Sequence, residues 1–414
     1  MDKLFTVFDR LITFKNFTYC NIFIFILKVF YSVYFKFPGL HFEDWRIAKN
    51  LATYGIYSEF INIGPTAYKL PIYPIYLSFW IKIFPHFPKE AIIISQHFIY
   101  LIIPFLIIYI GRQLFNNKVG LIASFIFIFS PAYFYYSNVL EATNVFIIIF
   151  LVWISLYLNI YYKLKNSRIF YTVFGFVTAI LALTQVVVVP IIVVGLLVLI
   201  GFNKISLKNF FLVGIVSALS YSPWIIRNKI VFDKVIISKT PVWQNIYLSF
   251  TPDPNHFDDL KLVSHEHEAY TFQARKKINE FEMEDIYEKE IKRVLKDNNF
   301  LYVKKMVQNV ALLWYVPTRY INDTSLSTVV GRKIFVVILN ISSILSLIYL
   351  FRSGRKKLVI GFLIVFGGFS LPYAIGHAAN TRFKLDFEYL QYILFAAYFY
   401  KVLFRKYTNK KTPL

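Results

Sequence analysis

The sequence predicts an all-α, polytopic membrane bundle. Three observations carry that reading: 57% of the 414 residues are hydrophobic, only 16% are charged, and the apolar residues gather into long runs. An ordinary soluble domain carries about 25% charged residues, so this chain lacks the material for a polar shell. A helix rising 1.5 Å per residue needs about 20 residues to cross about 30 Å of hydrocarbon. Runs near that length lie at 19–37, 71–87, 90–110, 118–136, 142–162, 168–185, 186–202, 208–226, 303–318, 332–351, 357–375 and 387–404, which gives eleven or twelve spans. The run at 186–202 follows its neighbour with almost no loop and contains Pro190, which kinks it. Barrel strands would be about ten residues long and alternating, which these runs are not.

Two polar segments divide the bundle. An N-terminal region, 1–226, contains the loop 38–70. A polar stretch, 227–302, then separates it from a C-terminal region, 303–414, with a basic tail. Within the stretch, 276–300 places Phe281, Ile286, Ile291, Val294 and Leu295 near one helical face. That pattern predicts an amphipathic helix lying on the membrane or capping a cavity.

Lys plus Arg total 45 against 23 Asp plus Glu, a net charge of +22. The cations cluster in the linkers 163–168 and 352–357 and in the tail, with no basic stripe interleaved with stacking aromatics. Nucleic acid is therefore not the partner; the membrane surface is. The positive-inside bias puts both linkers and the tail on the cytoplasmic side and 376–386 outside. Counting back from 163–168 also puts Glu141 outside. Counting forward from a cytoplasmic N-terminus, with every run spanning, puts Glu141 inside. One early run is therefore re-entrant, or the N-terminal side is inverted. The first run has no small-residue cleavage pattern after it and reads as a retained span. The single cysteine, Cys20, excludes an intrachain disulfide.

Charges at the run boundaries carry the chemistry. A helix over 45–55 gives Ile47, Leu51 and Tyr54 one apolar side and sets Glu43 and Asp44 in its first turn, where the dipole favours acids. They either cap that helix or act as a general base or orienting group at the water–membrane boundary. Pro71 suits the first position of the next helix. Lys69 then lies at the membrane surface, as a snorkelling anchor or as a cation for a lipid phosphate. Glu141 has no charge nearer than Lys118 or Lys163, and an acid near hydrocarbon is a site candidate by default. His256, His265 and His267, with Asp258 and Glu266, invite a metal reading. The spacing matches neither HExxH nor paired cysteines, and an aqueous surface facing an acceptor is the better expectation. There is no GxGxxG or Walker A sequence, and hence no nucleotide cofactor. Gly367 and Gly368 suit close helix packing.

Five segments in order, 43-EDWRIAKNLATYG-55, 68-YKLPIYPIY-76, 130-SPAYFYYSNVLE-141, 222-SPWIIRN-228 and 382-RFKLDFEYL-390, resemble motifs of the GT-C glycosyltransferases. These multi-spanning enzymes use polyprenyl-phosphate-linked sugars. The resemblance is to the protein O-mannosyltransferase and aminoarabinose-transferase-like group, and it runs from about residue 20 to 404. It implies inverting transfer of a sugar from a polyprenyl-phosphate donor to a hydroxyl of a lipid, polysaccharide or protein acceptor. The site would face the extracytoplasmic side of the cell membrane. By that resemblance Glu43 or Asp44 is the base, Lys69 binds the donor phosphate, and Glu141 positions donor or acceptor. Arg382 and Arg227 compensate phosphate charge, and His377 stands near substrate.

The chain also departs from the family pattern. The usual first-loop acid stands further upstream, at the place of Leu40 counted from Ala48. Gln185 replaces a cation, and Asp386 stands where proline is common. Chemically, hydroxyl attack on an anomeric carbon needs one base, and a phosphate leaving group needs cations rather than a second protonated acid. No cofactor is assigned, and metal stays open: Glu43, Asp44 and Glu141 offer oxygen ligands that suit Mg²⁺ or Mn²⁺. The competing readings are a secondary transporter or lipid-linked-glycan flippase, and a non-catalytic scaffold of the same fold. The first would place ionisable groups near the midplane in repeated halves. The second would leave Asp44, Lys69, Glu141 and Arg382 dispersed.

Overall fold

Long apolar runs have no water with which to pair their backbone groups, so they close their hydrogen bonds internally as helices. In the computed structural model, residues 10–35, 41–251, 260, 262–296, 298–315, 326–379 and 381–400 are described, and all regular elements among them are helical. The helices are α1 (Phe14–Tyr34), α2 (Glu43–Tyr54), α3 (Ile72–Ile83), α4 (Pro88–Leu114), α5 (Asn117–Ile128), α6 (Pro131–Tyr136), α7 (Ala142–Tyr161), α8 (Arg168–Ala182) and α9 (Val189–Gly201). They continue as α10 (Leu207–Phe232), α11 (Trp243–Ser249), α12 (His265–Ala274), α13 (Glu280–Leu295), α14 (Phe300–Tyr315), α15 (Leu326–Arg352), α16 (Lys356–Ala374) and α17 (Glu388–Tyr398). Short 3₁₀ turns, Val186–Val188 and Thr381–Lys384, precede α9 and α17. Side chains that accept amide hydrogens set several starts: Asn116 for α5, Ser167 for α8, Ser206 for α10 and Asn279 for α13. Gly55, at φ +71°, ends α2 in the left-handed conformation that glycine adopts without cost.

Among the described residues, six helices are long and apolar enough to cross a membrane: α1, α4, α7, α10, α16 and the Gly331–Arg352 part of α15. Shorter apolar helices, α3, α5, α8 and the Val186–Gly201 stretch, add to them. The chain is a multi-pass membrane protein with an all-α bundle. Its core centres on Tyr133, Phe146, Phe150, Trp153, Phe174, Phe369 and Tyr392. Where α4 meets α5 the backbones nearly touch, and a Cβ on Gly120 would lie 2.5 Å from the Ile108 carbonyl oxygen. Gly368 packs against the Ile191 side chain of α9, as expected for a close approach, whereas Gly367 faces open space.

The bundle has two distinguishable ends. At one, Lys118 donates to the Ile12 carbonyl, Lys204 lies over Tyr161, and Lys357 lies over Phe202, so the cationic linkers gather there. The other end holds Glu141, which caps the start of α7. The 20 residues of α7 rise about 30 Å and separate the two.

The run at 71–87 does not cross between these ends. Its helix, α3, has 12 residues and rises about 18 Å. Both its flanks stay at the Glu141 end: Lys69 beside Glu43, and Lys89 over the Trp45 ring. Thus α2 and α3 pack as a hairpin on that face, and Glu141 shares an end with the loop before it. Pro71 is the N-cap residue of α3, one place before the expected position. The run at 303–318 also stays in that half. Trp314, near the end of α14, donates to Ser370 in the last turns of α16. Residues 36–37, 316–318 and 401–404 of the expected spans lie outside the described residues.

The amphipathic segment forms α13. It buries Met283, Tyr287 and Ile291 against Tyr247, Phe250 and Val263, so it packs as a cap.

Candidate active site

The first loop and the hairpin bring the acids to the bundle's face. Asp44, in the first turn of α2, is only 5% exposed, and a backbone bridge between His41 and Leu140 ties its approach to the residue before Glu141. Lys69 sits on the extended stretch before Pro71, held there by the Tyr57 hydroxyl, which donates to its carbonyl at 2.9 Å. Its Nζ lies 3.4 Å from Glu43 Oε2 and 3.8 Å from Asp44 Oδ2. Arg275, just past α12, adds a second cation on Glu43 at 3.5 Å and also binds Glu59 at 2.6 Å. Across the floor, Arg382 from the 3₁₀ turn forms an ion pair with Glu141.

These groups line a single cavity of about 1070 Å³. Glu43, Asp44, Lys69, Glu141, His377 and Arg382, all named from sequence, are brought together there. Arg227 is not among them. From α10 it donates to the carbonyls of Thr66 and Tyr57 and braces the first loop. Two cations escaped the sequence reading. Lys239 lines the cavity, and Arg275 binds Glu43 at its edge. Both lie in the polar stretch, where charges are common and no apolar background marks them out. The opposite wall is apolar, built from Val186, Val187, Val189, Leu371 and Ile375.

Charges in the cavity tune one another. Burial opposes ionisation of Glu43, yet Lys69 and Arg275 hold its carboxyl below the usual range. For Asp44 burial wins over Lys69, and its pKa is raised. The two acids push Lys69 upward and Glu141 pushes Arg382 upward, in each case against burial. Burial, with Lys69 and Arg382 nearby, lowers Lys239 to about 8. Burial and then Lys239 lower His377 to about 3, so its ring is neutral. His377 Nδ1 donates to the Ala378 carbonyl at 2.8 Å, which leaves Nε2 as an acceptor. Asp386 is pushed up to about 7 by burial, while the Thr143 hydroxyl and Gln185 amide donate to it.

A divalent metal fits this donor set poorly. Among the described residues no three His, Cys, Asp or Glu side chains converge, and Glu43, Asp44 and Glu141 each face a resident Lys or Arg. Of the histidine group, His267 meets the Tyr247 hydroxyl at 3.0 Å and Glu290 at 3.8 Å, while His265 is exposed. His256 and Asp258 lie outside the described residues.

No family model matches the chain, and no curated protein matches it. Among solved structures it is similar to the oligosaccharyltransferase of Archaeoglobus fulgidus in the apo form, with 11% identity and a TM-score of 0.53 over 95% of this chain and 52% of that one. The same enzyme tethered to an acceptor peptide containing the NVT sequon gives 12% identity and a TM-score of 0.51, over 95% and 50%. ArnT from Cupriavidus metallidurans bound to undecaprenyl phosphate gives 10% and 0.43, over 92% and 78%. At such identities the likeness is one of fold, and the fold is the GT-C-like membrane bundle expected from sequence. The chain spans about half the length of the oligosaccharyltransferase.

Proposed function

We propose that the chain is a GT-C glycosyltransferase of the polyprenyl-phosphate-dependent kind. It moves a sugar, with inversion, from the lipid phosphate to a hydroxyl of a lipid, polysaccharide or protein acceptor. The observation that carries this is the convergence of Asp44, Glu43, Lys69, Glu141 and Arg382 on one cavity at one end of the bundle. The cationic linkers lie at the other end, so the positive-inside rule puts the cavity on the extracytoplasmic side. Its apolar wall suits a polyprenyl tail and its polar wall an aqueous acceptor. A fold shared with an oligosaccharyltransferase fits the same chemistry. A transporter reading gains nothing from acids gathered at one end rather than at mid-depth.

Asp44 is the better base. Glu43 is held between two cations at 3.4 and 3.5 Å and its basicity is suppressed, whereas Asp44 has one cation, at 3.8 Å. The acceptor hydroxyl gives its proton to Asp44 as its oxygen bonds to the anomeric carbon. The bond from that carbon to the phosphate oxygen breaks, and the lipid phosphate leaves with the electron pair. Glu141 and Arg382, fixed on each other, orient the substrates above the floor.

The test is a transfer assay on the purified chain with a panel of polyprenyl-phosphate sugars and defined acceptors. Asp44→Asn, Glu43→Gln and Lys69→Ala run in parallel. Transfer that is lost in Asp44→Asn supports the reading. Transfer unchanged in all three rejects the site, and no transfer by the wild type across the panel rejects the function.

A further inference from the structure

The cations that the sequence offers for a donor phosphate are already matched inside the cavity. Lys69 faces Glu43 and Asp44, and Arg382 is paired with Glu141. Arg275 divides itself between Glu43 and Glu59. Lys239 differs. It lines the same cavity, yet among the described residues it forms no ion pair. Its strongest charged neighbours are the cations Lys69 and Arg382, with weaker attraction from Asp44 and Glu43. His377 faces it as a neutral ring, Tyr68, Tyr73, Tyr136 and Glu268 also line the cavity, and Asp386 lies nearby.

An ammonium placed among other cations is costly, and the surrounding backbone shows that it is held there. The Ser238 carbonyl accepts from Trp224 Nε1 at 2.8 Å, and the Thr240 amide donates to the Ala67 carbonyl at 3.2 Å. The residues on either side of Lys239 are thus pinned, one to α10 and one to the first loop two residues before Lys69. A half-buried cation with no ion-pair partner, on a fixed backbone and beside two paired cations, is a preorganised place for an anionic group.

The geometry points to Lys239 as the cation that takes the donor phosphate, while Lys69 and Arg382 hold the acids in place. This rests on the lipid-phosphate reading above and corrects its assignment of cations. Resident pairs are not free to give their charge to a ligand without abandoning their carboxylates. Lys239 gains an anion without releasing one, and its repulsion from Lys69 and Arg382 falls when a phosphate enters.

Binding is measured with the full chain in nanodiscs, using undecaprenyl phosphate and, separately, inorganic phosphate, by intrinsic tryptophan fluorescence. Wild type is expected to bind the lipid phosphate, with Lys239→Gln weakened about ten-fold or more and Lys239→Arg within about three-fold. The pH profile separates a charge from a merely structural role. Lys239 is cationic below about 8 in the empty cavity, so wild-type affinity falls above that pH, by up to about ten-fold per unit. Lys239→Arg stays cationic and removes that fall, and any dependence left in it reports the other groups. Melting temperatures confirm that both variants fold.

If Lys239→Gln binds as wild type does, or Lys239→Arg keeps the same decline above pH 8, the inference is overturned and the lipid-phosphate reading stands. If wild type binds no undecaprenyl phosphate, both fall together. Inorganic phosphate binding at least about ten-fold weaker than the lipid identifies the lipid headgroup as the source. Equal affinity assigns the site to free phosphate and overturns the donor part of the inference.

Discussion

Replacing Asp44 by Asn removes a base and almost nothing else. The side chain is 7% exposed, and its nearest cation, Lys69 Nζ, stands at 3.8 Å, too far for a strong ion pair. A positioned general base contributes about 10²- to 10⁴-fold to rate. Asp44→Asn should therefore lower kcat by that factor, about 3–5 kcal/mol of transition-state stabilisation, with little change in KM for the donor. The pH profile gives an independent readout. A base works when deprotonated, so wild-type activity falls as pH falls through the Asp44 pKa, which burial places above the usual aspartate range. That acid limb should vanish in Asp44→Asn. Stability moves the other way. An acid with a raised pKa in the folded state binds its proton more tightly there than when unfolded, so it costs stability once pH rises past its ordinary value. The neutral amide carries no such cost, and the variant should melt at or above the wild-type temperature. Initial rates with a radiolabelled donor and melting curves in the same detergent decide the matter. If Asp44→Asn keeps kcat within about three-fold while Glu43→Gln loses it, the roles of the two acids are reversed and the electrostatic reasoning is wrong.

Two further perturbations probe the scaffold. Removing Arg382 leaves the buried Glu141 carboxylate without its cation, so Arg382→Gln should cost about 3–5 kcal/mol, and Glu141→Gln should cost less because the Arg382 side chain is 25% exposed. The double variant should lose less than the sum of the two, as read by denaturant titration in micelles; strict additivity would mean that the pair does not interact. At the α4–α5 contact, Gly120→Ala would set its Cβ 2.5 Å from a carbonyl oxygen, and it should destabilise by about 1–3 kcal/mol. Gly367→Ala meets nothing within 4 Å and should melt like wild type.

The bundle was legible because a span announces itself by length and hydropathy. Runs such as 142–162 became helices with nearly the expected ends. The hairpin was not, because hydropathy counts apolar residues without asking what covers them. The stretch at 71–87 is apolar enough to span, but its helix stops at Ile83, before Pro85, and the next begins at Pro88. The apolar faces of α3 pack on Ala48 of α2 and Ile92 of α4. The same contrast explains the site. Glu141 and Lys69 stood out as lone charges against apolar sequence. Lys239 and Arg275 sat in the polar stretch among many charged neighbours, and only the fold shows that one lines the cavity and the other binds Glu43.

Two of the three departures from the pattern that the resemblance implies meet in space. Gln185 donates to Asp386. A cation at 185 facing a proline at 386 would leave this corner of the cavity with one positive charge. Here the amide carries none. Asp386, pushed up to about 7 by burial, is protonated in about half of the molecules at neutral pH, so the corner carries less than one negative charge. Arg382 and Glu141 cancel each other, and Lys69 is outnumbered by the two first-loop acids. An empty cavity of this composition has little attraction for a lipid phosphate unless one cation stands outside these pairs. Lys239 occupies that place in the charge balance, on the wall contributed by the polar stretch rather than by α8 and the turn after it. On this argument the donor's charge is met by a different segment of the same fold, and returning arginine at 185 should make Lys239 less necessary for phosphate binding without making Asp44 less necessary for transfer.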